Sequence, residues 1–417
     1  MVRSERLAKL LDRFSSKWFW DFISVSGIFL GFGFAGIYYW YRTHNKKWRY
    51  ILFWQAILFV VSLAIVSLMF GAYSNFNLIM LVIVTNLFGL AGFSIYILGI
   101  HAVEILANYF VGKNSCPGVA PVIPGVEIPG VPISIPFLSG WLSLFIIMVL
   151  HELAHGVLAR HIGVRVKSFG LLLLGFFPIG AFTEPDEQEL VKSKPRDQLK
   201  VYAAGPMINF YLTVFVLILS IIFASLTNSY LVTEQAGFTD GLYLAEVTEF
   251  TGLCGEGPKS LNYGLLDTNV KILYLNGVEI NDYNSFYYAL SLDSISAKLL
   301  LEGNEGIYLE ELYFNSDGKL GITVELREKA DIIKPFKYSF YMFISELLRW
   351  LWILSLMVAI FNFLPSEPFD GGKMAKIILG SFIMKRFAEK KKRRLIGLFF
   401  GSLVLLFLII NLLPLFF

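Results

Sequence analysis

The chain has 417 residues, 56% of them hydrophobic and 16% charged, with a mean hydropathy of +0.64. Soluble domains run at roughly 45–50% apolar and about 25% charged residues, so a single large water-soluble core is excluded and a polytopic membrane protein is indicated. The net charge of +3 is small and the basic residues gather at the ends of apolar runs, which is a membrane-topology pattern and excludes a nucleic-acid partner.

The N-terminal segment carries Arg3, Arg6, Lys9, Arg13 and Lys17. The apolar run behind it is too long for a signal-peptide core, so no cleavable leader is expected. A helix needs about 20 mostly apolar residues to cross a bilayer. Candidate spans fall near 18–41, 50–72, 77–100, 141–161, 200–226, 340–364 and 395–416. The fold class is therefore a polytopic α-helical membrane protein of about seven spans, with residues 1–100 forming a basic segment and three of them. Residues 101–228 hold the fourth and fifth spans and two linkers. The first, 116–140, repeats Pro-Gly-Val at 117–119, 124–126 and 129–131. Proline at this density excludes a helix and leaves an extended connector or a re-entrant, strand-like element. The second linker, 163–198, has an apolar stretch broken by Gly175, Pro178 and Gly180, then the acidic "TEPDEQE", so it is no full span.

Residues 229–335 change character. Turn signals at Asn276-Gly277 and Asp317-Gly318 accompany the alternating runs 242–247, 270–275 and 322–326, which predict a small, strand-rich soluble domain. Residues 336–417 carry the last two spans and the basic "KRFAEKKKRR" of 385–394, which marks a cytoplasmic loop. Counting back from it puts 229–335 outside, and the 163–198 linker and the N-terminus inside. Arg42, Lys46, Lys47 and Arg49 run against that count. Cys116 and Cys254 are too few for a disulfide framework, and free thiols are expected.

The fourth span contains "HELAH", residues 151–155. Residues four apart on a helix differ by about 40° in direction, so His151 and His155 project from one face, with Glu152 beside them. This is the HExxH arrangement of two imidazole ligands for zinc and a carboxylate base. Three ionisable groups within five residues of a span are costly to bury and point to function. A catalytic zinc takes three protein ligands and one open position. His161 is rejected as the third, because Leu158 stands where a turning glycine would be needed. Glu184 and Asp186 are weaker candidates in a polar linker. Asp370 is the best placed. Pro365 and Pro368 break the sixth span just before it, irregular backbone at that depth must line protein or a watery cavity, and Gly371-Gly372 permit a tight turn. A simpler role for Asp370 is the N-cap of a following helix. Ala203, Ala204 and Gly205 let another helix approach closely, with Asn209 a turn further on.

In these motifs the chain resembles the site-2 proteases, intramembrane zinc metalloproteases. HExxH stands as "HELAH", GxxxN as "GPMIN" (205–209) and NxxPxxPxDG as "NFLPSEPFDG" (362–371), in that order. The resemblance covers roughly 100–225 and 340–417, and the segment 263–280 resembles the core of a PDZ domain. It implies one catalytic zinc ion held by His151, His155 and Asp370, with Glu152 as base. It also implies that Asn209 and Asn362 orient substrate or stabilise an oxyanion. The implied substrate is a transmembrane helix of another protein, cut within or near the bilayer of the cell membrane. The active site would lie nearer the cytoplasm and the PDZ-like domain outside, as a size filter or docking site. A catalytically inactive scaffold or metal-binding protein on the same fold is the alternative.

Overall fold

The computed structural model describes residues 2–4, 17–44, 48–70, 76–126, 134–174, 177–249, 259–293, 295–303, 306–316, 318–329, 332–382 and 388–416. The basic N-terminal residues Arg6, Lys9 and Arg13, part of the 385–394 loop, the third Pro-Gly-Val repeat, Asp317 and Cys254 lie outside them.

Helices α1 (Lys17–His44), α2 (Trp48–Phe70) and α3 (Phe76–Phe110) form an N-terminal group. Helix α4 (Phe137–His161) starts after Pro136 and ends where Gly163, at φ 85°, takes the left-handed turn that L-residues resist. The chain then forms a hairpin of β2 (Val166–Leu174) and β3 (Phe177–Pro185), followed by the short α5 (Glu187–Lys192). Helix α6 (Pro195–Phe238) is long and contains Pro206. Helix α8 (Phe336–Asn362) ends at the broken loop 363–369, and α9 (Asp370–Phe382) and α10 (Glu389–Leu412) complete the bundle.

Six of these helices are long and apolar enough to cross a membrane: α1, α3, α4, α6, α8 and α10. The expected second span corresponds to α2, of which a shorter apolar stretch, Arg49–Leu63, is described throughout. Phe215, Ile218, Ile221 and Leu226 on α6 and Leu398, Phe399 and Ile409 on α10 are exposed, as lipid-facing residues must be where the solvent is hydrocarbon.

One apolar core joins α1–α3 to α4, α6, α8 and α9. Gly33 of α1 (φ 56°) and Gly89 of α3 (φ 65°) both break their helices. They cross at that point, a Cβ on Gly33 falling 2.6 Å from the Gly89 nitrogen, so only bare backbone fits.

The hairpin belongs to a three-stranded antiparallel sheet in the order β1-β2-β3, where β1 is Val2–Ser4. Ser4 pairs with Phe169 and Phe169 with Thr183. The N-terminal strand and the hairpin after α4 therefore share one end of the bundle.

The region predicted to be strand-rich forms a second sheet of β4 (Thr239–Val247), β5 (Val270–Leu275), β6 (Val278–Glu279), β7 (Ser296–Gly303), β8 (Gly306–Tyr313) and β9 (Ile322–Glu328), ordered β8-β7-β5-β4-β9 with β6 on β5. The Asn276-Gly277 signal is a turn with both φ positive, 48° and 80°, the geometry that a two-residue hairpin requires. Helix α7 (Tyr283–Leu290) packs beside β9, and a groove of about 540 Å³ lies between them.

Two expectations change. The domain starts at Thr239 and not near 229, because 229–238 has no proline to stop α6, which runs on beyond its apolar part. Cys116 is disulfide-bonded and not a free thiol.

Candidate metal centre

Helix α4 lies against α6 and α8, and its buried face carries His151, Ala154 and Leu158. The two imidazoles meet the aspartate that begins α9. His155 Nε2 lies 3.0 Å from Asp370 Oδ2 and 3.1 Å from His151 Nε2, and His151 Nε2 lies 3.3 Å from the same carboxylate oxygen. Among the described residues, this is the one cluster of His, Cys, Asp and Glu that could hold a metal. Zinc bonds of about 2.0–2.1 Å put tetrahedral donors about 3.3 Å apart, so the spacing fits an ion to within a few tenths of an ångström.

A second observation tests the fit. A Cβ built on Gly205 of α6 would fall 2.3 Å from His155 Nε2 and 2.6 Å from His151 Nε2. The point toward which the ligand atoms converge is thus kept clear by a missing side chain. The same helix orients both rings. His155 Nδ1 donates to the Val201 carbonyl at 2.8 Å, which leaves its Nε2 as an acceptor for a metal. Pro206 withdraws an amide from this turn, which loosens the ladder around the carbonyls nearby. His151 Nδ1 meets the Asn209 carboxamide at 3.0 Å.

Glu152 is held from the hairpin. The Thr183 amide donates to Glu152 Oε2 at 2.8 Å, and the Thr183 hydroxyl donates to the Glu152 carbonyl at 2.6 Å. Strand β3 is thereby fastened alongside Glu152, and its backbone groups of this parity face away from β2.

The remaining sequence candidates fall in separate places. His161 lies 3.5 Å from Asp21 of α1, an aspartate that also binds Lys200, and has no part in the cluster. Glu184 accepts from Ser168 at 2.7 Å, and Asp186 caps α5 by accepting from the amides of Gln188 and Glu189. Asn209 is fully buried behind His151. Asn362 donates to the Val358 carbonyl one turn back in its own helix, at 2.9 Å. Gly371 and Gly372 do not supply a left-handed turn. They start α9, and their bare Cα atoms pack on the backbone of residues 363, 364, 366 and 367, with a Cβ on Gly371 only 2.2 Å from the Phe363 oxygen.

Sequence reasoning missed Thr183 and the Val201 carbonyl, and read Gly205 as helix packing. Nothing in the sequence ties Thr183 to Glu152, whereas Gly205, one turn from Asn209 in a motif already noted, could have been read as space for an ion.

Two imidazoles and a remote carboxylate, with a glutamate between the histidines, form a centre of the metalloprotease class inside a bundle of apolar helices. The sequence profile of peptidase family M50 matches residues 139–408, and the chain belongs to that family, the site-2 proteases. It is 31% identical over 241 residues to uncharacterized protein MJ0971 of Methanocaldococcus jannaschii, covering 57% of this chain and 56% of that protein. It is 32% identical over 90 residues to zinc metalloprotease MJ0392 of the same organism, covering 22% of this chain and 24% of that one. The chain thus spans little more than half the length of the first relative and about a quarter of the second.

Proposed function

We propose that the chain is a multi-pass, intramembrane zinc metalloendopeptidase of the site-2 type that hydrolyses peptide bonds within or near transmembrane helices of other membrane proteins. The observation that carries this reading is the convergence of His151, His155 and Asp370 on the space that Gly205 leaves clear. When bound, zinc supplies Lewis acidity and brings the pKa of a water toward about 7. Glu152, held by Thr183, takes the proton of the attacking water and passes it to the leaving amine. Asn362, at the mouth of the 363–369 loop, is assigned to substrate orientation.

Asn209 is assigned to His151 instead. For His151 Nε2 to ligate, its Nδ1 must carry the proton and needs an acceptor. The neighbouring group is the Asn209 amide, whose two ends are interchangeable by rotation. Its oxygen turned to Nδ1 meets that need. Asn209→Asp should then keep zinc affinity, and Asn209→Leu should weaken it about 10–100-fold in a chelator competition. Equal affinities in the two variants would remove this role.

A helical substrate hides its peptide bonds and must locally unwind. Among the described residues β3 is an edge strand of its sheet, and its outward edge before Thr183 is assigned to the unwound segment. Proline in place of Ala181, whose backbone shares the outward parity of Thr183, should lower cleavage of a membrane-spanning substrate and leave zinc content alone. Full activity would exclude strand addition there.

The pairing of β1 with β2 supports seven crossings. Four helices separate these strands, and an even number of crossings returns the chain to the same side, which favours a crossing by α2 alongside α1, α3 and α4. Cysteine labelling that reached both ends of α2 from one side would oppose this. On the basic-residue count the hairpin faces the cytoplasm and the soluble domain the outside. The domain acts there as docking site or size filter, and its groove between α7 and β9 favours docking.

The function is tested with purified protein and a membrane-spanning substrate. Wild-type protein should cleave it and lose the activity on zinc chelation, and Glu152→Gln should cleave it far more slowly. Wild-type protein that binds no zinc would sink the site itself.

A further inference from the structure

The family match begins at residue 139 and gives α1–α3 no task. Yet α1 is the most enclosed of the candidate spans, with 72% of its apolar window buried against 44% for the next. Besides α2 and α3, it packs against α6 and α9, the helices that carry Gly205 and Asp370. Gly27 lies against Ala203 and Met207 of α6. Gly31 receives the ring of Phe363, a Cβ there falling 2.3 Å and 2.4 Å from two ring carbons. Phe363 is fully buried and is the first residue beyond α8. Its carbonyl in turn presses on the bare Cα of Gly371, the neighbour of Asp370. Helix α3 grips the same turn, Ser94 donating to the Ile360 carbonyl at 3.2 Å.

We infer that the N-terminal helices are a positioning element of the metal centre: the notch at Gly31 seats Phe363, and Phe363 holds the start of α9 so that Asp370 reaches the two histidines. The chain of contacts has no slack. Gly31 touches ring carbons, the Phe363 backbone touches Gly371, and Asp370 is one bond away. A methyl group in the notch must displace the ring, and because Phe363 is fully buried that displacement presses on the loop that carries Asp370. This inference rests on the metal-centre reading above.

The test is zinc affinity by chelator competition on the purified full-length protein, with thermal unfolding followed separately. Gly31→Ala should weaken zinc about 10–100-fold, the range for residues that orient ligands. Phe363→Leu, which loosens the seat, should weaken it too, and the double variant should bind better than either single one, because the smaller side chain makes room for the methyl group. Gly118→Ala, whose methyl would meet the Asn411 side chain of α10 and not Phe363, should lower the unfolding temperature and leave zinc affinity unchanged. Wild-type affinity in Gly31→Ala, or simple additivity in the double variant, would overturn the inference. Should Gly31→Ala not fold, unchanged zinc affinity in Phe363→Leu would overturn it equally. Wild-type protein without zinc would instead remove the metal centre on which it rests.

Discussion

Gly205→Ala should abolish zinc binding while the helix bundle remains folded. The added methyl would sit 2.3 Å from one ligand nitrogen and 2.6 Å from the other, in the space an ion would fill. The rings have little room to withdraw, since His155 is bonded to Val201 and His151 touches Asn209, both on the helix that bears the new methyl. Helix propensity works in the opposite direction, alanine being favoured over glycine by about 1 kcal/mol in a helix interior. Affinity should therefore fall by more than the roughly 100-fold at the top of the range for residues that only orient ligands, with unchanged helical content by circular dichroism. A variant that still bound one zinc ion tightly would place the metal elsewhere.

Glu152→Gln should give the opposite pair of results, with zinc retained and hydrolysis of a membrane-spanning substrate reduced by about 10²–10⁴, the usual contribution of a general base. The amide oxygen of glutamine can still accept from the Thr183 amide, and the Thr183 hydroxyl bond to the backbone is untouched. The side chain should keep its place and lose only its basicity. Unaltered cleavage would remove Glu152 from the mechanism. Absence of cleavage in both wild type and variant, with zinc present, would leave the inactive scaffold as the better reading.

The sequence made the cluster of His151, His155 and Asp370 legible because its logic is local or chemical. The i, i+4 histidines announce one helix face, and two prolines before Asp370 announce broken backbone at membrane depth. Strands β5 and β9 were legible from their alternation, and their turn from Asn276-Gly277. What was hidden depends on contacts between distant segments. Thr183 looks like any residue of a polar linker until the hairpin folds against α4. Gly205 reads as a packing residue, because sequence shows which side chain is missing and not which atoms occupy the gap. The end of α6 was placed too early because polarity was taken for the domain boundary, although a helix can leave the membrane without stopping. The bonding of Cys116 has no local signature.

Val201, Gly205 and Asn209 stand four residues apart along α6, facing two histidines four residues apart along α4. The centre is thus set by the register of one helix against another. Each residue inserted between 201 and 209 would turn the later contacts by about 100° and shift them by about 1.5 Å, so that a carbonyl, a gap and an amide could no longer face the same pair of rings. Substitutions at exposed positions further along α6, such as Phe215 and Ile218, should pass with little effect, whereas a change in the length of 201–209 by one residue should not be tolerated at all.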